Sequence, residues 1–162
     1  MKELFFISLN IPSLKKTLEF EADNYGPSSD VVMGYIDDMC QINLINAEKK
    51  GDTIIYSIGD RGKKFIKTME LDLDYDLISE IKTLCRDITN DELLALTYFS
   101  FPKMTEESLV KNKIWDKRDK LALGLYKKNK ISLEKAIEIS GLDYIKFLDK
   151  LNSKNITVEL AI

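Results

Sequence analysis

The chain has 162 residues, of which 44% are hydrophobic and 31% charged, with 24 basic against 27 acidic side chains and a net charge of −3. That length suits one average domain or two small ones, and the apolar share is enough for a packed core, which argues against wholesale disorder. The sequence has no histidine and only two cysteines, Cys40 and Cys85. This excludes His-based triads, imidazole zinc sites and Cys-only zinc sites.

The mild acidity rules out a globally polybasic coat but leaves room for a local basic patch. Residues 1–70 hold 9 basic and 11 acidic side chains, 71–120 hold 8 and 11, and 121–162 hold 7 and 5, so only the last stretch is net positive. No apolar run approaches a membrane span, and the opening Met-Lys-Glu-Leu-Phe-Phe-Ile has neither a long hydrophobic region nor a small-residue cleavage site. A soluble, cytoplasmic protein is expected.

In chain order, Asn24-Tyr25-Gly26-Pro27-Ser28-Ser29-Asp30 is turn chemistry followed by a helix start, with Ser28 or Ser29 as N-cap and Asp30 at the positive end of the helix dipole. Val32, Ile36, Met39 and Cys40 then form one apolar stripe, which makes Cys40 a core residue rather than a reactive thiol. Ile42–Ile45 and Thr53–Ile58 read as two strands, and Ala47-Glu48-Lys49-Lys50-Gly51-Asp52 between them as a charged hairpin tip. A helix is expected from Gly59-Asp60-Arg61-Gly62 through Ile66. Helix, then hairpin with a basic tip, is the order of a winged helix. Such a fold ordinarily has more helix before the Tyr-Gly-Pro turn than residues 1–23 supply, so a short or missing first helix is expected.

Further on, Leu77, Ile78, Ile81, Leu84, Cys85 and Ile88 follow helical spacing, and Thr89-Asn90-Asp91-Glu92 is a capping box for the next helix, ended by Pro102. Residues 102–116 read as a connecting segment in which Trp115 packs. Asp119–Asn129 is then an amphipathic helix. Ser132 caps a second, Leu133–Ser140, which Gly141 ends. A third runs over Asp143–Ser153 with Ile145, Leu148 and Leu151 inward, and Ile156–Ile162 is expected to close the chain as a strand. Two short helices around a tight Gly turn have helix-turn-helix spacing. The fold class expected is mainly α with a small β-hairpin: a winged-helix-like domain over 1–70, a helical connector over 71–118 and a helix-turn-helix unit over 119–162.

Two resemblances arise at these residues. Tyr25-Gly26-Pro27-x-Ser29, the hairpin, and Tyr56-Ser57-Ile58-Gly59-Asp60-Arg61-Gly62-Lys63-Lys64 are similar to winged-helix domains of uncharacterised prokaryotic proteins, which often read Y-x-L-T-x-x-G-K-K after the wing. Tyr98-Phe99-Ser100-Phe101-Pro102 looks like the tail of the same family. Residues 121–136, Gly141-Leu142, Phe147-Leu148 and Ile156-Thr157-Val158 resemble a small helix-turn-helix family of presumed antitoxins found beside PIN-domain ribonuclease toxins. That resemblance departs at the bulky Ile137 and Ile139, where members carry small residues, and at Thr157, where they carry Pro. It implies a regulator that holds an operator or a toxin of the PIN ribonuclease class, with no catalytic residues and no cofactor.

For double-stranded DNA, phosphate contact is expected from Lys49, Lys50, Arg61, Lys63 and Lys64 on the wing, with Lys67 nearby, and from Tyr144, Lys146 and Lys150 on the third C-terminal helix. Lys127, Lys128 and Lys130 stand ready to flank it. The helix before the hairpin argues the other way, because its outer face carries Asp30, Asp37 and Asp38. Those three form the candidate partner-binding face for a basic protein. Homodimerisation is expected, because two weak half-site contacts multiply.

The remaining motif matches are weak or fail. Asp60-Arg61 between Gly59 and Gly62 matches the G-x-x-G of KH domains, but that loop must join two helices and here follows a strand. A calcium loop counted from Asp72 would need Gly at position 77 and Glu at 83, where Leu77 and Thr83 stand. The alternating Asp72, Asp74 and Asp76 instead suit a helix start. No phosphate-binding glycine loop or nucleophile elbow occurs, and Asp37 and Asp38 diverge by about 100° round their helix, a poor start for a shared acid–base pair.

Overall fold

The computed structural model describes residues 1–51, 53–70 and 73–158. It is mainly helical with one two-stranded antiparallel hairpin, an arrangement consistent with a winged helix followed by a helical unit. No helix among the described residues is long and apolar enough to cross a membrane.

The chain opens with two short helices, α1 (Lys2–Asn10) and α2 (Pro12–Leu18), so the expected shortage before the Tyr-Gly-Pro turn is met by two helical pieces. Ile11 is extended between them, and Pro12 starts α2 because its missing N–H costs nothing there. Gly26 has φ +101°, and a Cβ there would lie 3.0 Å from Leu94 Cδ2, so only glycine lets the turn close onto the body. Ser29 is the N-cap of α3 (Asp30–Gln41): its Oγ accepts from Val32 N–H and donates to Leu18 C=O, tying the new helix to α2.

The first expected strand is displaced. Ile42 and Asn43 close α3, with Asn43 left-handed at φ +58°, Leu44 N–H donating to Met39 C=O and Asn43 N–H to Cys40 C=O. That is the Schellman pattern, which satisfies the orphan carbonyls of the last turn. Strand β1 therefore covers Ile45–Lys50 and pairs with β2 (Thr53–Ile58), Lys50 opposite Thr53. Lys49 and Lys50 are thus strand residues beside the reversal, not part of a broad charged loop; Gly51 supplies the left-handed turn residue at φ +61°. Helix α4 (Asp60–Thr68) follows directly, so the Gly59–Gly62 segment does join strand to helix.

The body consists of α1, α2, α5 (Tyr75–Cys85), α6 (Asn90–Ser100), α7 (Lys111–Asp116), α8 (Arg118–Lys127), α9 (Leu133–Ser140) and α10 (Tyr144–Ser153). Asp74 caps α5 through Leu77 N–H, the use expected of the alternating aspartates; Asp72 lies outside the described residues. The Thr89–Glu92 capping box is present on both sides. Residues 102–116 are more than a connector: Pro102–Thr105 form a 3-10 turn, and α7 buries Ile114 completely. Trp115 stacks on Phe99, ring centroids 4.5 Å apart, which fastens α7 to α6. In the core, Leu94, Tyr98, Leu125, Ile139, Phe147 and Leu151 are essentially inaccessible to water. None of the residues of this core falls between positions 21 and 76. Helix α3, the hairpin and α4 are therefore an arm with its own small packing.

At the far end, α9 stops at Gly141 with φ +71°, as expected, and α10 starts at Asp143. The inward stripe of α10 is Phe147, Leu148 and Leu151; Ile145 points out and is 70% exposed, against expectation. Ile145, Leu148 and Leu151 advance about 300° per step and so drift round the helix, whereas Phe147 and Leu151 stack at i, i+4. Residues 156–158 are not in a strand, and the rest of the expected terminal strand lies outside the described residues.

Candidate nucleic-acid interface

Helix α4 has two unlike sides. At about 100° per residue, Gly62, Phe65, Ile66 and the following Met69 share one side, and these four help to line a groove against the hairpin. Lys63, Lys64 and Lys67 share the other, with Arg61 at its border, and all four are exposed. Gly62 brings the helix close: a Cβ there would lie 2.2 Å from Leu44 C=O. This contact is the physical reason for a glycine at position 62. Lys63 Nζ is 2.9 Å from Asp60, whereas Arg61, Lys64 and Lys67 enter no ion pair among the described residues. Lys50 lies 3.7 Å from Glu48 on one sheet face, and Lys49 projects from the other, opposite Ile54. Six cations thus gather on the hairpin and α4.

The cations of the C-terminal unit are engaged elsewhere. Lys150 Nζ is hydrogen-bonded to Asp119 of α8, which holds the Asp119 carboxyl below the usual carboxylate range. Lys128 Nζ donates to Glu92 of α6 at 2.7 Å, and Lys130 Nζ donates to Thr83 C=O. These three lysines bind the body together, which leaves less charge for a polyanion than the sequence suggests. Lys146 is exposed and pairs at 2.8 Å with Asp143, the N-cap of its own helix. Tyr144, Ile145, Lys146 and Asp149 form the open side of α10. Ile145 is the residue that sequence reasoning placed inside; an outward apolar side chain beside Tyr144 can meet a thymine methyl as well as a protein.

Arg118 sets the geometry of this unit, and nothing in the sequence marked it. Its Nε donates to Ile139 C=O at 2.6 Å and its Nη2 to Glu138 C=O at 2.9 Å, while the guanidinium lies 4.4 Å from the Phe99 ring centroid. A positive fork on the last carbonyls of α9 complements the negative end of its dipole. Gly141 must be glycine twice over, for its φ and because a Cβ would stand 2.6 Å from Arg118 Cζ. We expect Arg118→Ala to cost about 2 kcal/mol in urea unfolding, the size of a charged hydrogen-bond pair. Arg118→Lys should recover less than half of that, because it restores the charge and not the fork.

Asp30, Asp37 and Asp38 are exposed on the outer side of α3 and enter no ion pair among the described residues. A helix presenting them would repel a phosphate backbone. No group of three or more metal-ligating side chains occurs among the described residues, and burial, then the Glu3 charge, push the Cys85 thiol above its ordinary value.

Residues 98–161, from the end of α6 through the helix-turn-helix pair, match the model of an uncharacterised protein family (UPF0175). The hairpin arm lies outside that match. No curated protein and no solved structure matches the chain.

Proposed function

We propose that the protein is a non-catalytic DNA-binding regulator of the prokaryotic type, an antitoxin-like protein or transcriptional repressor whose arm is a winged helix. The observation that carries this reading is the cationic side of α4, on which Arg61, Lys64 and Lys67 are exposed and enter no ion pair among the described residues. Lys49, Lys50 and Lys63 extend that surface along the wing, and Tyr144 with Lys146 offers a second, weaker contact on α10. Phosphates would be held by α4 and the wing rather than by α3, which the carboxylates disqualify.

A fluorescence-anisotropy titration against mixed-sequence duplex DNA at several salt concentrations tests this. Six phosphate contacts give a log–log salt slope of about −5. Arg61→Glu with Lys64→Glu should lower affinity about 100-fold at low salt and flatten the slope by about two. Absence of binding at low salt, or affinity indifferent to the double variant, would sink the reading.

The exposed carboxylates of α3, which enter no ion pair among the described residues, favour a second reading, in which the chain docks a basic protein partner, such as a ribonuclease toxin of the PIN class, without touching DNA. Asp37→Lys with Asp38→Lys should then abolish partner binding, while Arg61→Glu with Lys64→Glu should leave it largely intact.

A further inference from the structure

We infer that the apolar side of the arm is covered by a second copy of this chain, in a two-fold dimer that packs hairpin and α4 against their counterparts. A groove of about 370 Å3 runs between the end of α3, the hairpin and α4, lined by residues such as Met39, Leu44, Tyr56, Ile58, Phe65 and Ile66, with no charged side chain in its wall. Around it Ile54, Ile58, Phe65, Ile66 and Met69 are each 42–51% exposed. Five large side chains at half exposure present on the order of 400 Å2 of apolar surface. That is within the range of the largest patches that monomers leave open, patches that are often functional. With its rim it approaches the roughly 800 Å2 per partner of a standard interface.

Three features select a second copy over another occupant. The patch is both concave and convex: the groove accepts apolar side chains, and Phe65 and Ile66 on its border supply them. A two-fold axis then lets each copy fill the other, which is the self-complementarity an isologous interface needs. The charge pattern allows it, because Lys63, Lys64 and Lys67 lie on the opposite side of α4. Lys49, the one charged residue on the groove-facing side of the sheet among the described residues, stands at the tip end, where a rim position keeps it in water. Finally, a lone two-stranded hairpin is marginal in water, and here it packs chiefly on α3 and α4, away from the body's core. Covering its apolar face removes that weakness. The dimer does not depend on the DNA reading, since the two use opposite sides of α4.

Sedimentation equilibrium on the full chain should give twice 18.6 kDa at micromolar concentration. Phe65→Glu and Ile66→Glu should each raise the dimer dissociation constant at least about 30-fold. Lys64→Glu, on the other side, should leave it unchanged. Independently of any variant, amide hydrogen exchange in the wild-type chain should slow over residues 53–69 as protein concentration rises. A wild-type monomer throughout, a monomer that binds an apolar dye in this groove, a dimer that survives both substitutions, or exchange at 53–69 indifferent to concentration would each overturn the proposal.

Discussion

Gly62→Ala is expected to loosen the hairpin arm while leaving the helical body's unfolding where it is. The added Cβ would meet the Leu44 carbonyl oxygen at 2.2 Å and Ile58 Cγ1 at 3.0 Å. The first of these is backbone, which cannot swing aside as a side-chain tip can. Helix α4 must therefore retreat from the hairpin by about 1 Å to restore ordinary contact. The retreat also strains the Gly59 N–H to Leu44 C=O hydrogen bond of 2.8 Å, which fixes the start of α4. Overpacking of this kind costs about 3 kcal/mol. The loss stays local because the body's core draws on no residue between 21 and 76. Trp115, the single tryptophan, packs on Phe99 in the body and reports that part alone. Its fluorescence transition should be unmoved by Gly62→Ala, while amides over residues 45–68 lose their protection from exchange. Gly34→Ala is the matched control: nothing lies within 4 Å of its Cβ, so a glycine leaves an exposed helix interior. That change should stabilise by about 0.5 kcal/mol. A Trp115 transition that falls with Gly62→Ala would show arm and body to be one cooperative unit.

What could be read from the sequence was mostly local chemistry. Ser29, Thr89 with Glu92, Ser132, Gly141 and the helix ends they mark depend on residues three or four apart, so spacing alone reveals them. The displacement of β1 has a local cause of a subtler kind. Ile42 and Leu44 have strand composition, but Asn43 is at home in the left-handed conformation that closes a helix, and that closure wins. For α10 the pattern was ambiguous, since Ile145, Phe147, Leu148 and Leu151 offer two overlapping stripes. Packing against the rest of the core selects the one through Phe147.

The interface was harder to read because charge in a sequence does not show what is already paired. Lys128, Lys130 and Lys150 read as available cations, yet each is held by a group 31 to 47 positions away. Arg118 meets Glu138 and Ile139 across 20 and 21 positions. No local periodicity encodes such pairs. The apolar groove was hidden for the opposite reason: Ile54, Ile58, Phe65 and Ile66 look like core residues, and only the three-dimensional arrangement leaves them open.

Removing Lys128 should give a destabilisation that depends on pH in a direction fixed by Glu92. The Glu92 carboxylate is buried between α6 and α8, where its Oε2 accepts from Lys128 Nζ at 2.7 Å and from Thr89 N–H at 2.6 Å. Gly124 makes the room, since a Cβ there would lie 2.4 Å from Oε1. Burial pushes this carboxyl up, but the hydrogen bonds from Lys128 and Thr89 together outweigh it and hold it below its ordinary value of 4.5. A depressed acid contributes stability that is complete above its unfolded value and lost as pH falls through its folded value. The wild-type chain should therefore lose stability below about pH 4.5, and Asp119, held down by Lys150, adds to the same loss. In Lys128→Met the carboxylate keeps its cap but loses its cation, at a cost of about 2 kcal/mol at pH 7. With burial no longer offset by the lysine, its folded value rises, and protonation then relieves the variant instead of harming it. The gap between variant and wild type should narrow steadily from pH 7 to pH 3 in thermal unfolding followed by Trp115 fluorescence. A gap that stays constant across that range would mean that Lys128 acts through packing alone, and that apolar contact, not the ion pair, joins α6 to α8.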